Sequence, residues 1–535
     1  MGLVPGGGAT IWGRWGLVAT ILVFAAIYAR TLAFEFVWDD VQAIRDNPIY
    51  AGPLLDGLAA TQHDHLDPAL RQLSGTKPAH DSYRPLLYLS FRSDAALFGM
   101  SPKSMHLHNL ILAILAIVAF YYVASIWLRP GPPAPIATAI FALHPLQVES
   151  VAYISGRSDI LAGLFGLLAV ASALRFEQAH DRRGRGLWLF ASTACLLASL
   201  LSKEAYIGLP IALAGIALSR GRLRAQRTVL LVWVATIVPY LVLRLSVGDA
   251  AGAGTGAPAL AALPGVFLRY LQIAVLPFDL STERLYDAGY SLPGWVALGA
   301  FAAWVTIGVR RGWSETARTV ASGLMWMLVL LGPSVVVIIV MGVVADRYSY
   351  LPLAGFAISV SALLTAACRE GNRLRPVLGV AGILWAVMCI AVTVVQVGTW
   401  KDNRTLYGHA VVTVPQSSMA HYRLGYSYAE EGEWPKAIVL FERAVALQPS
   451  NLQALNNLGV AYLNLGKYEE AAGAFERALA ESGQMHFRSW YNLGVVQMRM
   501  GERESACASV ERALRINPSY SAAASFHRAN CERRE

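Results

Sequence analysis

The sequence predicts an all-α protein in two parts: a polytopic membrane helical domain of about 11 spans plus a re-entrant helix over residues 1–399, and an α-solenoid over residues 400–535. Three observations carry this. The chain of 535 residues is 55% hydrophobic and only 15% charged, outside the usual composition of a soluble globular domain. Long apolar runs follow one another through the first three quarters of it. After Trp400 those runs stop and a motif begins to return at a 34-residue period.

A net charge of +9 could point to nucleic acid, but the arginines sit in short loops between apolar runs, where they report topology. No nucleic-acid partner is expected. The five cysteines, Cys195, Cys368, Cys389, Cys507 and Cys531, show neither CxxC nor zinc-like spacing. Only Cys507 and Cys531 lie outside the apolar region, and the sequence leaves open whether they pair. Arg14 precedes a long apolar run with no small-residue cleavage pattern after it, which reads as a retained first span.

Apolar runs fall at 15–33, 107–128, 134–154, 158–174, 186–201, 204–219, 228–246, 263–278, 292–309, 319–344, 350–367 and 377–398. Arginine clusters at 175–185, 220–227, 310–318 and 369–375 mark cytoplasmic loops. Between the second and third clusters lie three runs, an odd number, so one of them does not cross. The run 263–278, short and carrying Pro264, Arg269, Gln272 and Pro277, is expected to be re-entrant or interfacial on the outer side. Eleven spans remain, with the N-terminus cytoplasmic and everything after Gly398 outside.

Two outward loops are long. The first opens with FEFVWDDVQAIRDNP, which sets the adjacent acids Asp39 and Asp40 just beyond the first span. It continues through His63, Asp64, His65 and Asp67, which lack a recurring ligand spacing, so no metal ligands are assigned and metal dependence stays open. It ends in the amphipathic stretch Tyr83 to Gly99, expected along the membrane surface. Beyond Trp400, Leu424, Gly425, Tyr428, Ala437, Phe441 and Ala444 recur as Leu458, Gly459, Tyr462, Ala471, Phe475 and Ala478, with a third copy from Trp490 to Pro518. This is the tetratricopeptide pattern: three repeats and a capping helix, whose concave face suits an extended peptide.

Polar residues gather at the outward ends of the spans: Asp39 and Asp40; His106, His108 and Asn109; His144, Glu149, Arg157 and Asp159; Lys203 and Glu204; Asp279 and Glu283; Asp346 and Arg347. Ionisable groups near membrane depth are expensive and usually face one another around a polar cavity. Local salt bridges are the competing explanation for the pairs 203–204 and 346–347. A cavity holding carboxylates and cations suits deprotonation of an acceptor hydroxyl while a phosphate leaves. No nucleotide-binding loop is visible, so an activated donor would come from within the membrane, as a lipid phosphate does.

FEFVWDD, SYRPLLYLSFR, HLHN, HPLQVESVAYISGRSDILAGLF, SKE and DRYSYLP, in that order from residue 34 onward, resemble the transmembrane and tetratricopeptide-repeat O-mannosyltransferases. The resemblance implies a GT-C glycosyltransferase fold, a polyprenyl-phosphate-linked hexose as donor and a protein serine or threonine as acceptor, with no other cofactor assigned. It implies that Asp39 or Asp40 is the general base. Donor-binding or orienting roles fall to Arg84, His108, His144, Glu149, Arg157, Asp159, Lys203, Glu204, Asp346 and Arg347. Acceptor contacts are expected from the repeats, with Tyr428, Asn456, Asn457 and Asn492 as candidates. Asp346 stands where the animal proteins tend to have glutamate, and three repeats make a short array.

The sequence is thus read as a membrane protein O-glycosyltransferase with mannose or another hexose as the sugar. A bacterial relative would sit in the inner membrane with periplasmic repeats, a eukaryotic one in the endoplasmic reticulum with lumenal repeats. The alternative is a non-catalytic membrane scaffold that recruits envelope proteins through its repeats.

Overall fold

The computed structural model describes residues 11–45, 84–128, 133–247, 256–278, 280–282, 284, 288–341, 344–368 and 373–532. His63, Asp64, His65, Asp67, Asp279 and Glu283 lie outside these. All regular structure among the described residues is helical, and the contacts divide the chain between Lys401 and Asp402.

The first unit contains α1 (Ile11–Tyr28), α2 (Pro85–Phe98), α3 (Pro102–Trp127), α4 (Pro133–Leu143), α5 (Val148–Ala152), α6 (Arg157–Gln178) and α7 (Arg182–Ser202). It continues with α8 (Leu209–Ser219), α9 (Leu223–Val247), α10 (Gly256–Val275), α11 (Ser291–Arg311), α12 (Glu315–Met341), α13 (Pro352–Ala367) and α14 (Arg375–Gly398). Among the described residues, eight helices are long and apolar enough to cross a bilayer. Proline at the first positions of α2, α3, α8, α13 and α14 starts them where no backbone donor is needed. The hub is α6, whose apolar window is 78% buried, against 11% for α14 on the periphery. It packs along α3 and α7. Gly163 on α6 lets the Tyr350 ring lie directly against the helix, since a Cβ there would come within 2.7 Å of it.

Three expected spans are short helices: α4 and α8 have 11 residues and α13 has 16. An 11-residue helix rises only about 16 Å, half the hydrocarbon thickness. Two ion pairs nevertheless show that residues 203–220 run the length of the hub. Lys203 bonds Asp159 at the start of α6, and Arg220 bonds Glu177 near its end. Those two acids are roughly 27 Å apart along a helix. The segment reaches that far because a 3-10 turn, Glu204–Tyr206, precedes α8. The same Glu177 also meets Arg222 at 3.6 Å, so the first two arginine clusters share one end of the unit, opposite Asp159.

The run 263–278 forms the second half of one continuous helix, α10, with Pro264 inside it. Its middle packs at Gly265 against Tyr290 and Ser291, at the start of α11. Its last turn accepts a hydrogen bond from His144 Nε2 to the Ala274 carbonyl, 2.9 Å. The expected amphipathic stretch is α2, but its charges point inward. Arg92 and Asp94 are buried, while Leu97 and Phe98 are exposed.

The second unit begins with α15 (Asn403–Thr413) and pairs α16 (Ser418–Glu430) with α17 (Trp434–Leu447), α18 (Leu452–Asn464) with α19 (Tyr468–Glu481), and α20 (Phe487–Arg499) with α21 (Arg503–Ile516); α22 (Ser521–Asn530) caps the array. Asp402, Ser417 and Asn451 accept bonds from backbone N–H groups three residues on and so start their helices. Ala437, Phe441, Leu458, Ala461 and Ala474 form one core between repeats, and Ala471, Phe475, Leu479, Trp490 and Leu493 belong to the next. Cys507 and Cys531 are paired, tying α21 to the end of α22.

Phe475 is wholly buried where α18, α19 and α20 meet. Phe475→Ala should cost about 3–5 kcal/mol, the range for a large core aromatic. In the intact protein this appears as faster hydrogen exchange across residues 452–499, with exchange in α6 unchanged.

Candidate functional site

The acid loop is shaped by one unusual residue. After α1 a 3-10 turn, Ala29–Ala33, gives way to extended chain, and Trp38 then adopts φ +56°. A bulky residue in the left-handed region is strained and persists only where its surroundings enforce it. Here the Trp38 ring stacks on Tyr153 at 5.4 Å and lies 6.3 Å from Trp400. The turn closes through Asp40 N donating to Val37 O, 3.1 Å. Lys401 O accepts from Glu35 N at 3.1 Å, so the chain leaves the unit beside this loop.

That reversal separates the two acids. Asp40 is fully buried, and its Oδ1 accepts from both the N–H and the Oγ of Ser155, at 2.9 and 2.5 Å. Its Oδ2 is buried without a partner. Burial pushes the Asp40 carboxyl up to about 7, and the Ser155 bonds pull against that rise. Asp39 is exposed and carries no hydrogen bond or ion pair among the described residues.

Three further stretches converge on this loop. The motif HPLQVESVAYISGRSD folds as the 3-10 turn Pro145–Gln147, then α5, the turn Ile154–Gly156 and the start of α6. Gly156 permits the sharp path: a Cβ there would come within 2.5 Å of the Ser150 carbonyl oxygen. From α5, Glu149 bonds the Arg347 guanidinium and accepts from the Arg347 N–H at 3.1 Å. The same guanidinium lies 5.2 Å from the Trp38 ring and 5.4 Å from Tyr348. Lys203 Nζ bonds Asp159 at 2.6 Å and sits 5.3 Å from the Tyr348 ring. Arg84 grips Glu204 with Nε and Nη2 at 3.2 and 3.0 Å. Arg84, Glu204 and Arg347 keep 21%, 35% and 22% of their side chains accessible, while Lys203 and Asp159 are nearly closed off.

Other predicted residues support the site from outside it. Arg157 is fully buried beneath the Phe91 ring, bonded to Asp94 at 2.6 Å, Asn109 Oδ1 at 2.6 Å and the Met105 carbonyl at 2.9 Å. His108 meets the same Asp94 at 2.6 Å. His144 accepts from Leu146 N and holds α10. Asp346 pairs with Arg284 at 2.7 Å and not with its sequence neighbour Arg347. Local pairing within 203–204 and 346–347 therefore does not occur; each of those ions takes a partner from another stretch.

Sequence reasoning missed Trp38, Tyr153, Ser155 and Tyr348, which sit inside the motifs but carry no charge to draw attention. It also missed Arg244, half-buried at the end of α9 and within electrostatic reach of Glu204 and Tyr240. In the second unit, Asn456, Asn457 and Asn492 come together: Asn492 Nδ2 donates to Asn456 Oδ1 at 3.0 Å, and Asn457 Nδ2 to the Tyr422 hydroxyl at 3.2 Å. Tyr428 lies apart from them, packed with Trp434 and flanked by Arg404 and Lys436.

The tetratricopeptide repeat family profile matches residues 404–451, 422–486 and 456–521. Among curated proteins, the chain is 35% identical over 185 residues to protein O-mannosyl-transferase TMTC2 of Homo sapiens, covering 34% of this chain and 21% of that one. It is 25% identical over 501 residues to protein O-mannosyl-transferase TMTC4 of Mus musculus, covering 78% and 64%. With F38B6.6 of Caenorhabditis elegans it shares 26% over 419 residues, covering 74% and 58%. The matched region thus spans between a fifth and just under two thirds of these relatives' length. Of solved structures, the first TPR of Spaghetti (RPAP3) bound to an HSP90 peptide aligns with 21% of this chain and 90% of its own, at 22% identity and a TM-score of 0.21. The chain is therefore similar in sequence to the protein O-mannosyl-transferases across both of its units.

Removing one member of a buried ion pair strands the other, at a cost of about 3–5 kcal/mol. Arg157→Met should leave the buried Asp94 with His108 as its remaining partner and lower the unfolding temperature of the detergent-solubilised protein. The double variant Arg157→Met, Asp94→Leu should recover much of that loss.

Proposed function

We propose that the protein is a membrane glycosyltransferase that moves mannose or another hexose from a polyprenyl-phosphate carrier to a serine or threonine hydroxyl of a protein, on the non-cytoplasmic face. The observation that carries this reading is the Val37–Asp40 turn. It presents one carboxylate, Asp39, exposed and without a partner among the described residues, next to a Trp38 ring that carries the Arg347 guanidinium.

The chemistry follows from the residues. Asp39 takes the proton of the acceptor hydroxyl as its oxygen attacks the anomeric carbon. The bond from that carbon to the phosphate oxygen breaks, and the configuration inverts. The departing phosphate gains negative charge, which the accessible guanidiniums of Arg347 and Arg84 offset, with Lys203 orienting Asp159 behind them. A guanidinium has five N–H donors, and Glu149 engages only part of those of Arg347, so a phosphate can be bound without breaking that pair. Asp40 cannot reach a substrate from its buried position; bonded to Ser155, it holds the loop that aims Asp39.

Two features support the outward orientation. The arginine loops at 175–185 and 220–222 lie at the far end of α6 from Asp159. The Cys507–Cys531 disulfide suits an oxidising compartment. The similarity to protein O-mannosyl-transferases supports the acceptor class.

Asp39→Asn should lower transfer by about 10²- to 10⁴-fold, the usual contribution of a general base, with donor binding unchanged. A wild-type transfer rate from that variant would remove Asp39 from the mechanism. Asp40→Asn should retain measurable transfer and change the pH dependence of stability. Because folding raises the Asp40 carboxyl from 3.8 to about 7, the stability it confers is complete below about 4 and is lost as pH rises through 7. Unfolding temperature should thus fall between about pH 4 and 7 in wild type, by the equivalent of up to ~4 kcal/mol, and fall less in Asp40→Asn.

A further inference from the structure

The first helices of the three repeats, together with the start of α22, hold a cation that the proposed chemistry does not use. Arg488 sits at the N-terminal end of α20, and its Nε is buried with no hydrogen-bond partner. It forms no ion pair or hydrogen bond among the described residues. Around it stand the phenols of Tyr422 and Tyr426 from α16 and Tyr520 from the turn before α22, all within its electrostatic reach. These rings are themselves fixed. Tyr422 and Tyr426 lie 6.4 Å apart, Asn457 donates to the Tyr422 hydroxyl, and Tyr520 packs edge-on against Phe487 and Tyr491 at 5.0 and 5.3 Å. Partial burial lowers the Arg488 guanidinium below its ordinary value, and the neighbouring His486 is held down to about 4; Arg423 also reaches Tyr422 and Glu430 bonds Tyr426, so those two opposite charges offset each other and Arg488 supplies the net cation.

An unpaired, half-buried guanidinium is costly unless something completes its hydrogen bonds. The groups around Arg488 are tyrosine hydroxyls, and one of these, on Tyr422, is bonded to the Asn457 amide, a group that suits a peptide backbone. A single positive charge in a cradle of phenols matches one carboxylate better than a dianion, which would call for further cations.

We infer that Arg488, set among Tyr422, Tyr426 and Tyr520, is a specificity residue that binds an aspartate or glutamate side chain in an extended segment of the acceptor protein. The inference rests on the reading of this chain as a protein glycosyltransferase, and it concerns which segments that enzyme selects. The charge complementarity of one guanidinium and one carboxylate is what commits the groove to an acidic peptide.

The test is equilibrium binding to the full-length protein in detergent, without donor, so that it does not depend on turnover. Two amide-capped dodecapeptides of Ser, Ala and Gly are compared, identical except for one central Glu or Gln. A third carries the Gln and a free C-terminal carboxylate. Wild type should bind the Glu peptide at least tenfold more tightly than the Gln peptide, the scale of one hydrogen-bonded charge pair, and the preference should shrink with salt. Arg488→Met should abolish the preference, Arg488→Lys should keep part of it, and Asp39→Asn should leave it intact. Equal binding of the two capped peptides, binding of neither up to millimolar concentration, a preference that survives Arg488→Met, or tighter binding of the free-carboxylate peptide would each overturn the inference. A preference intact in a protein that transfers no sugar would instead refute the transferase reading and leave the acidic-peptide site standing.

Discussion

Buried charge governs the membrane unit. Among the described residues, acid–base pairs join stretches far apart in sequence: Arg84 with Glu204, Arg157 with Asp94, Lys203 with Asp159, Arg220 with Glu177, Arg284 with Asp346, and Arg347 with Glu149. In a low dielectric each of these ions alone would be prohibitive, so each pair demands that its two helices meet in one register. Apolar packing between helices in lipid is comparatively indifferent to sliding, because lipid tails are as apolar as leucine. The pairs therefore do for this unit what a hydrophobic core does in water. They also explain why the site tolerates so little freedom: moving α6 by one turn would separate Asp159 from Lys203 and Arg157 from Asp94 together.

Much of this could be read beforehand because it is written in composition and period. Helical class, the run boundaries and the 34-residue repeat all follow from where apolar residues recur, and the polar ends of the spans were visible as interruptions. What could not be read was pairing. Asp346 and Arg347 are adjacent, and so are Lys203 and Glu204, yet all four take distant partners, because a helical turn points neighbouring side chains in different directions. The inward-facing charges of α2 escaped for a related reason. Asp94 stands three and four residues before Leu97 and Phe98, so helical spacing sets them side by side and does not reveal that the acid is buried while the two apolar side chains are exposed.

The two acids make the same point at the smallest scale. Asp39 and Asp40 are chemically identical and adjacent, so sequence gave no ground for choosing between them. A single left-handed residue, Trp38, distinguishes them by turning the chain so that one carboxylate is exposed and the other buried. The cost of that backbone is met by aromatic contacts with Tyr153 and Trp400, residues more than a hundred positions away and at the very end of the unit. Local sequence could not announce a conformation that only tertiary structure sustains.

A final constraint concerns how cations already paired with acids could still serve a phosphate. Glu149, Asp159, Glu204 and Asp346 each lie in the first turn of a helix or 3-10 turn. Unsatisfied backbone N–H groups and the positive end of the helix dipole stabilise a carboxylate there independently of any side chain. Asp159, at the head of the 22-residue α6, is thus held twice, once by its helix terminus and once by Lys203, whereas the other three acids head elements of three to five residues and depend on their cations. On the proposed reading, an anion would share donors of Arg84 and Arg347, the accessible guanidiniums of the group. The short helices α8 and α13 are each preceded by a 3-10 turn, Glu204–Tyr206 and Asp346–Ser349, that carries one of these acids. The breaks that shorten those spans and the charges beside them are therefore one arrangement: the turns that interrupt the helices carry Glu204 and Asp346 to cations from distant stretches, Arg84 and Arg284.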